Sequence, residues 1–346
     1  MNSTSGLPSP TITLPSRLSF SSLSTYAACG ELWRLERGYK LGVSTWWASI
    51  GGSAVHECVE TYLLAYEAEE PAPEADFEVV FERAEKEEKA KGLEIKPSGP
   101  KRNEMCFAGG PNKKDREWWL RYGPRMVEAA LRWFHARVDE GWKLVAVEQG
   151  FDVTLGGVRM TGRIDLVMTD DQGEVRVVDL KTGNETPSKL QLATYREGLY
   201  EETFVDATWG AYLRFGIEDE EVEAPVLDEA GQPVLLKGGP NKGKPKTEKR
   251  KVEGEVYAYL AGHTDFTVLS KEYVEHQYLM LRRGIEAGNF IANPRNGCDH
   301  CPVKAHCRTV GGMKSGLIPV ESVLLPPKTS DTPTSVAEAT ISDASL

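Results

Sequence analysis

Two aspartates and a lysine stand out in apolar segments near the middle of the chain. Asp165 ends the sequence GRID, and Asp179 and Lys181 lie in the sequence VVDLKTG. If both segments are β-strands, the two-residue alternation of side chains places Asp179 and Lys181 on the same face. Charged groups are costly to bury among valine, leucine and isoleucine unless an opposite charge compensates them. A divalent cation would provide that compensation.

The chemistry that these residues favour is phosphodiester hydrolysis. Asp165 and Asp179 would bind Mg²⁺ or Mn²⁺ through hard carboxylate oxygens, and the carbonyl of Leu180 could complete the metal shell. Such a metal polarises a phosphate and lowers the pKa of an attacking water. Lys181 would position that water or stabilise the developing negative charge. The competing interpretation is a plain salt bridge between Lys181 and one aspartate.

His56 strengthens the metal interpretation. It lies on a predicted helix in the sequence GSAVHECVE, with Glu60 one turn later on the same face. A single histidine is more often a buried structural residue than a ligand. Glu148, in the strand that precedes Asp165, is a weaker candidate for a further ligand or general base.

The hydrophobic periodicity changes along the chain from helical to extended and back. Short turns between the β-rich segments predict an antiparallel meander, and a Gly-Pro pair at 123–124 predicts a kink or break in a helix. The predicted elements are helices at 19–37, 46–66, 73–92 and 113–140, strands at 143–154, 158–169 and 174–181, a helix at 187–200, strands at 207–215 and 254–260 on either side of a long connection, and a helix at 270–287.

The order of these motifs resembles the RecB-like branch of the PD-(D/E)xK nucleases over about residues 19–310. The matching features are Gly52-x3-His56, GRID, VDLKTG and Gln191-x3-Tyr195. The resemblance implies an α/β fold with a restriction-endonuclease-like core, in which a central mixed sheet is flanked by helices and carries a helical insert. It also implies roles for the site residues: His56, Asp165 and Asp179 as metal ligands, Lys181 as the catalytic lysine, and Gln191 and Tyr195 as residues near the site that contact DNA.

Gln191 also has a local interpretation. Ser188-x-x-Gln191 could form a capping box, which would occupy the glutamine side chain. Alternatively, Thr186 is the N-cap and Pro187 the first helical residue, which leaves Gln191 available. We favour the second arrangement because proline is preferred at that helical position.

A cysteine knuckle, CDHCPVKAHC, lies near the C-terminal end of the patterned region. Three thiols within ten residues indicate a metal site, which needs a fourth ligand. The candidates for the fourth ligand are His300, His306 and Cys29. Three close cysteines with a distant one near the N-terminus resemble the 4Fe–4S staple of AddB and of the CRISPR-adaptation nucleases. By that resemblance the cluster ligands are Cys29, Cys298, Cys301 and Cys307. A Zn²⁺ site remains the alternative, because the spacing does not separate the two.

The formal net charge of −11 argues only mildly against a nucleic-acid-binding protein. Phosphate binding requires a local basic surface rather than a basic average, and the segment 237–253 is such a basic loop. The predicted organisation is a disordered N-terminus at 1–16, one nuclease domain at 17–312 with a helical insert at 70–140, and a disordered tail at 316–346.

These features predict a metal-dependent DNA nuclease, most simply an exonuclease that acts on single-stranded or flapped DNA ends in recombination or repair. A DNA-binding or partner-docking module that has lost cleavage is the alternative. We find neither a Walker A motif nor a signal peptide nor an apolar stretch of membrane-spanning length, so a helicase or recombination protein would be a separate partner and the cytoplasm is the expected location. Aromatic residues of the insert could stack on unpaired bases, although their helical spacing favours core packing: Trp118, Trp119, Trp133 and Phe134.

Overall fold

A computed structural model describes most of the patterned region. The described residues are 12, 14–41, 44–71, 73, 76–97, 114–183, 188–217, 220–226, 228, 232–252, 255–294, 298 and 301–307. The predicted disordered segments at 1–16 and 316–346 therefore lie outside the described residues, apart from residues 12 and 14–16. Disorder in these two segments stays a prediction.

The helices and strands follow the predicted order closely. In chain order they are α1 (Phe20–Ala28), α2 (Gly30–Trp33), a π-helical turn (Arg34–Gly38), β1 (Ser44–Trp46), α3 (Trp47–Glu67), α4 (Phe77–Ala90), β2 (Glu94–Lys96), α5 (Arg116–Asp139), β3 (Lys143–Leu155), β4 (Val158–Thr169), β5 (Val175–Lys181), α6 (Lys189–Thr203), β6 (Trp209–Ile217), β7 (Glu220–Pro225), β8 (Thr247–Val252), β9 (Val256–Asp265) and α7 (Lys271–Glu286).

The central sheet has five strands in the order β3-β4-β5-β6-β9. Strands β3, β4 and β5 form the predicted antiparallel meander. Helix α6 then crosses over so that β6 pairs with β5 in parallel, and β9 returns antiparallel to β6. The predicted α/β architecture with a mixed sheet flanked by helices is confirmed.

Both faces of this sheet are buried, which explains the apolar content of β5. Val177 belongs to a core cluster that contains residues of α1, α6 and α7. Val178 belongs to a second cluster, formed with α3, α4 and α5. Neighbouring strand residues therefore pack against different helical layers, as the two-residue alternation requires. A strand buried on both faces has no solvent-exposed position for a charge, so Asp179 needs a specific partner.

The β3–β4 hairpin is irregular where Glu148 lies opposite Asp165. The pairing skips these two residues, and Glu148 has a left-handed backbone with φ of 51°. Ile164 and Leu166 are two residues apart in β4 but pack into the clusters on opposite faces of the sheet. A local irregularity of this kind re-aims side chains. Here it allows two carboxylates to point toward α3.

The predicted single helix at 19–37 is wrong at one position. Cys29 has an extended backbone (φ −167°, ψ 110°) and separates α1 from α2. The reason is tertiary. A Cβ atom on Gly30 would lie 2.8 Å from the backbone nitrogen of Ile291, so the chain segment that follows α7 comes too close for a larger residue. The break turns Cys29 toward that C-terminal segment.

The predicted break at Gly123-Pro124 does not end the helix. Helix α5 continues through Pro124, although an interior proline costs about 3 kcal/mol. Gly123 faces Phe77 of α4 so closely that an added Cβ would lie 2.1 Å from the ring. Burial of α5 against α3 and α4 compensates for the local cost.

The long connection between β6 and β9 contains an arm that the sequence patterns did not predict. Strands β7 and β8 pair antiparallel, with Glu221 opposite Lys251 and Glu223 opposite Lys249 in the register. The predicted basic loop at 237–253 thus comprises the tip of this arm together with β8. Within the described ranges, no helix has both the length and the apolar content that crossing a bilayer requires.

The contact between α3 and α5 gives a test of the fold. An alanine at Gly51 would place its Cβ 2.0 Å from the ring of Trp119, which is 1 % exposed and cannot move aside. We expect Gly51→Ala to lower the free energy of unfolding by about 1–3 kcal/mol, because overpacking outweighs the gain of ~1 kcal/mol in helix propensity. Urea unfolding measures the change. The control Ser53→Ala, at an exposed position of the same helix, should be neutral or slightly stabilising; equal stability of the two variants would contradict the contact.

Candidate active site

The site forms where β4 and β5 separate. Their ladder ends with Leu166 opposite Val178, just before Asp165 and Asp179. Beyond that point, the backbone N–H of Leu180 donates a hydrogen bond of 2.7 Å to Oδ2 of Asp165. A side-chain carboxylate therefore takes the place of the backbone acceptor that β4 no longer offers. This bond holds Asp165 at the mouth of the gap between the strands.

His56 reaches the same gap from α3. Its Nδ1 lies 3.5 Å from Oδ2 of Asp165. Burial lowers the pKa of His56 to about 4, so the imidazole is neutral at physiological pH and has a lone pair available. Gly52 makes the approach possible, because a Cβ there would lie 2.8 Å from Oγ1 of Thr182.

Asp179 is almost completely buried beside Lys181. The Nζ of Lys181 lies 2.6 Å from Oδ2 of Asp179, and Nε2 of Gln191 donates to Oδ1 at 3.0 Å. Burial, and after it the charge of Asp165, raise the pKa of Asp179, while Lys181 opposes the shift; the resulting pKa is about 6. Burial likewise raises the pKa of Asp165 to about 6. The lysine alone does not compensate both acids.

A polar network behind Asp179 fixes its orientation. Nε2 of Gln191 also donates to the hydroxyl of Tyr195 at 2.9 Å, and the hydroxyl of Tyr212 donates to Oε1 of Gln191 at 3.2 Å. Tyr212 in turn donates to the carbonyl of Ser188 at 2.7 Å. Both predicted DNA contacts, Gln191 and Tyr195, are less than a tenth exposed. The structure brings them to the site, and their contact with DNA stays a prediction.

The start of α6 resolves the two capping alternatives. The N-cap is Ser188, so the favoured N-cap Thr186 is wrong. Ser188 nevertheless makes no side-chain capping hydrogen bond, and Gln191 is not occupied by a capping box. Its side chain is available for Asp179 because the buried carboxylate competes more strongly for the amide than the helix terminus does.

Glu148 is a third carboxylate of the site. His56, Glu148 and Asp165 each offer a ligand atom, and these atoms lie within 4.8 Å of one another, the one such group among the described residues. Burial and then the charge of Asp165 raise the pKa of Glu148 to about 7, although Arg163 forms an ion pair with it. The sequence signal for this residue was a single acid in an apolar strand. No sequence pattern indicated its left-handed backbone, which aims the side chain at His56.

This donor set fits a divalent cation. Oδ2 of Asp179 and Oε2 of Glu148 are buried and accept no hydrogen bond from the described part of the chain, so each has one ion pair as its compensation. Carboxylate oxygens, a backbone carbonyl and a neutral imidazole suit Mg²⁺ or Mn²⁺, with imidazole favouring the transition metal. The salt bridge between Lys181 and Asp179 is present, but it leaves Asp165 and Glu148 uncompensated by that lysine.

A second group of metal-ligand side chains joins the two ends of the domain. The four cysteines of the predicted staple are not in disulfide bonds: Cys29, Cys298, Cys301 and Cys307. Burial raises the pKa of the Cys301 thiol, and the charges of Cys307, Cys298 and Cys29 raise it further. Asn293 fixes the N-terminal member, since its backbone N–H lies 3.4 Å from Sγ of Cys29. His300, one alternative fourth ligand, lies outside the described residues.

The chain is similar in sequence to a known family and to two phage proteins. The family model described as "PD-(D/E)XK nuclease superfamily" matches residues 17–308. The Gene 69 protein of Mycobacterium phage L5 is 30% identical over 215 residues, which cover 53% of this chain and 69% of that protein. The Gene 69 protein of Mycobacterium phage D29 is 29% identical over 206 residues, which cover 57% of this chain and 63% of that protein.

Two solved structures share a distant likeness with the chain. The crystal structure of SSO0001 has a TM-score of 0.32 at 11% identity and covers 86% of this chain and 87% of its own. A candidate exonuclease from Eubacterium rectale has a TM-score of 0.31 at 12% identity and covers 82% of this chain and 92% of its own. At these TM-scores, neither likeness bears on function.

The four thiols give a test that is independent of activity. We expect Cys301→Ala to lose bound metal and visible colour and to become insoluble or labile, because linking Cys29 to the knuckle closes a loop of roughly 270 residues, worth on the order of 5 kcal/mol by analogy with a disulfide. Iron, sulfide and zinc analysis with an absorption spectrum measures this. Cys58→Ala, at a buried cysteine outside the group, should keep the metal. A soluble, metal-free Cys301→Ala with wild-type stability would rule out a staple.

Proposed function

The chain belongs to the PD-(D/E)XK nuclease superfamily, and on this premise we propose that it is a divalent-metal-dependent deoxyribonuclease of the RecB-like branch. The proposed substrate is a single-stranded or flapped DNA end, cut by exonuclease action in recombination or repair. The observation that carries the nuclease assignment is the meeting of Asp165, Asp179 and Lys181 at the point where β4 and β5 separate.

The proposed metal ligands are the side chains of His56, Asp165 and Asp179 and the carbonyl of Leu180, with Glu148 as a further ligand. The closeness of His56, Glu148 and Asp165 supports this set, as does the hydrogen bond from the backbone N–H of Leu180 to Asp165, which holds Leu180 beside these ligands. When bound, Mg²⁺ or Mn²⁺ supplies a Lewis acid that polarises the phosphate and a lower pKa for the attacking water.

Lys181 has the role of the catalytic cation. Asp179 holds its Nζ at 2.6 Å, and the ring of Tyr212 lies 5.7 Å from that nitrogen. In this position Lys181 donates to a non-bridging phosphate oxygen or to the attacking water, and it neutralises negative charge as that charge develops. Gln191 acts as a positioning residue, because it fixes the oxygen of Asp179 that Lys181 does not contact.

The four thiols hold a 4Fe–4S cluster in this proposal, with Zn²⁺ as the alternative. The cluster's role is structural. It joins the break between α1 and α2 to the segment after α7, where Trp33 and Phe290 already stack at 5.8 Å. The resemblance of the cysteine pattern to such a staple supports iron–sulfur ligation, since four thiolates suit a cluster of this kind.

The arm formed by β7 and β8 extends the path of the DNA. Its described tip, residues 232–247, contains no acid and four exposed lysines: Lys237, Lys242, Lys244 and Lys246. The arm leaves the sheet from the C-terminal end of β6. Because β6 is parallel to β5, the C-terminal ends of both strands, including Lys181, lie at the same end of the sheet.

Lysine substitutions test the arm. We expect Lys242→Gln with Lys244→Gln to weaken oligonucleotide binding at low salt by about tenfold and to reduce the slope of log affinity against log salt by about 0.7 for each phosphate that is no longer neutralised. Fluorescence anisotropy between low and high salt measures both. The same charge change on α4, Lys86→Gln with Lys91→Gln, should have little effect. An unchanged affinity at low salt would remove the arm from the DNA path.

Cleavage of end-labelled DNA tests the function itself. Wild-type protein should degrade single-stranded DNA in Mn²⁺ or Mg²⁺ and be inactive in EDTA, while Asp179→Ala and Lys181→Ala each lose about 100-fold or more of the rate. Glu148→Gln should need a higher metal concentration for half-maximal cleavage, because it keeps the shape of the side chain and removes its charge. The control Asp152→Ala, at a surface acid of β3, should cleave normally. Folded, metal-loaded wild-type protein that binds DNA without cutting it would favour the non-cleaving module.

A further inference from the structure

Two tyrosines of β9 are exposed on the face of the sheet to which Lys181 belongs. Tyr257 is 41 % exposed and Tyr259 is 40 % exposed, and their ring centres are 5.7 Å apart with a tilt of 38°. Val256, which precedes Tyr257 at the start of β9, packs into the opposite core cluster with α3 and α5. The two tyrosines therefore project on the other side of the sheet, away from that core.

The register of the sheet aligns these tyrosines with the catalytic lysine. Lys181 of β5 lies opposite Arg214 of β6, and Arg214 lies opposite Tyr259 of β9. Directly opposed residues project on the same face, so the three side chains form one row across the sheet. At about 4.8 Å for each strand, Tyr259 begins roughly 10 Å from Lys181. Tyr257 lies one row further toward the arm.

Gly216 leaves space for the ring of Tyr257. It lies opposite Tyr257 in the register, and a Cβ there would be 2.2 Å from Cζ of the ring. The hydroxyl end of the Tyr257 ring therefore lies against the bare backbone of Gly216, while the residue as a whole is 41 % exposed. A ring held in place in this way loses little conformational entropy when a planar group stacks on it.

We propose that Tyr259 and Tyr257 are a stacking platform for the unpaired bases of a single-stranded nucleic acid whose scissile phosphate lies at Lys181. This inference rests on the proposed nuclease function and names the substrate class of that site. The bases of a duplex are stacked on one another, so only unpaired bases can stack on side chains in this way. Arg214 and Lys181 place positive charge in the same row, where the backbone phosphates that connect such bases would lie.

The platform differs from the aromatic residues that the sequence made candidates for base stacking. Trp119 and Phe134 are each 1 % exposed and belong to the core between α3, α5 and the sheet. Trp118 packs against Trp119 at 5.0 Å. The tyrosines of β9 have open ring faces because they lie at the edge of the sheet, next to the base of the arm.

Binding of a fluorescein-labelled 15-nucleotide oligo(dT) to the full chain tests the platform, with cleavage blocked by low temperature and by EDTA in place of added Mg²⁺ or Mn²⁺. The variant Tyr257→Ala with Tyr259→Ala should bind about tenfold or more weakly. The paired Tyr→Phe variant keeps both rings and should bind like wild type. Gly216→Ala, which displaces a ring without removing it, should weaken binding like Tyr257→Ala alone. Tyr273→Ala, at an equally exposed tyrosine of α7, is the matched control.

An abasic oligonucleotide of the same length separates stacking from phosphate contacts. Wild type and the alanine pair should bind it equally, since it has phosphates but no bases. Full oligo(dT) affinity in the alanine pair, or an equal loss for abasic and normal strands, would overturn the platform. Because binding is measured without cleavage, base-dependent binding by a protein that cuts nothing would refute the nuclease and keep the platform. Normal cleavage by wild type, together with equal oligo(dT) binding by wild type and the alanine pair, would refute the platform and keep the nuclease.

Discussion

Strands β4 and β5 stop pairing after Leu166 and Val178, and the site depends on this early separation. A continued ladder would satisfy the N–H of Leu180 with backbone; instead it binds the carboxylate of Asp165. The same gap admits His56 from α3 and leaves Asp179 buried beside Lys181. Several acids then share a poorly solvated space, which is unfavourable for the protein alone. The unfavourable charge is what makes the gap attractive to a divalent cation.

The rest of the fold serves to hold that gap open and in place. Apolar clusters on both faces fix the sheet between two helical layers, and close contacts at glycines bring the helices within reach, as at Gly52 beside Thr182. Gln191 and Tyr212 hold Asp179 from the α6 side. The four cysteines lie away from this chemistry, where the first helices meet the segment after α7. In the proposed function, a metal bound there would stabilise the closed chain rather than take part in hydrolysis.

Positive charge in this protein is concentrated locally, although its formal net charge is −11. The lysines of the arm tip and the row from Lys181 through Arg214 lie at one end of the sheet. Electrostatic attraction of phosphates falls off within about 10 Å at moderate salt. A substrate at this end therefore experiences the local cations more than the acids elsewhere on the surface.

The sequence by itself determined the antiparallel meander and made Asp165, Asp179 and Lys181 candidates for one site, because periodicity and the types of buried charge are local properties. The mixed α/β architecture and the role of His56 followed from the family resemblance of the motifs. Only the tertiary structure decided the break at Cys29, the continuous helix through Pro124 and the left-handed Glu148. It also decided that Tyr257 and Tyr259 share a face with Lys181, since strand register joins residues far apart in the chain. These features arise from packing between distant segments, whose energies outweigh the local preferences that a sequence pattern records.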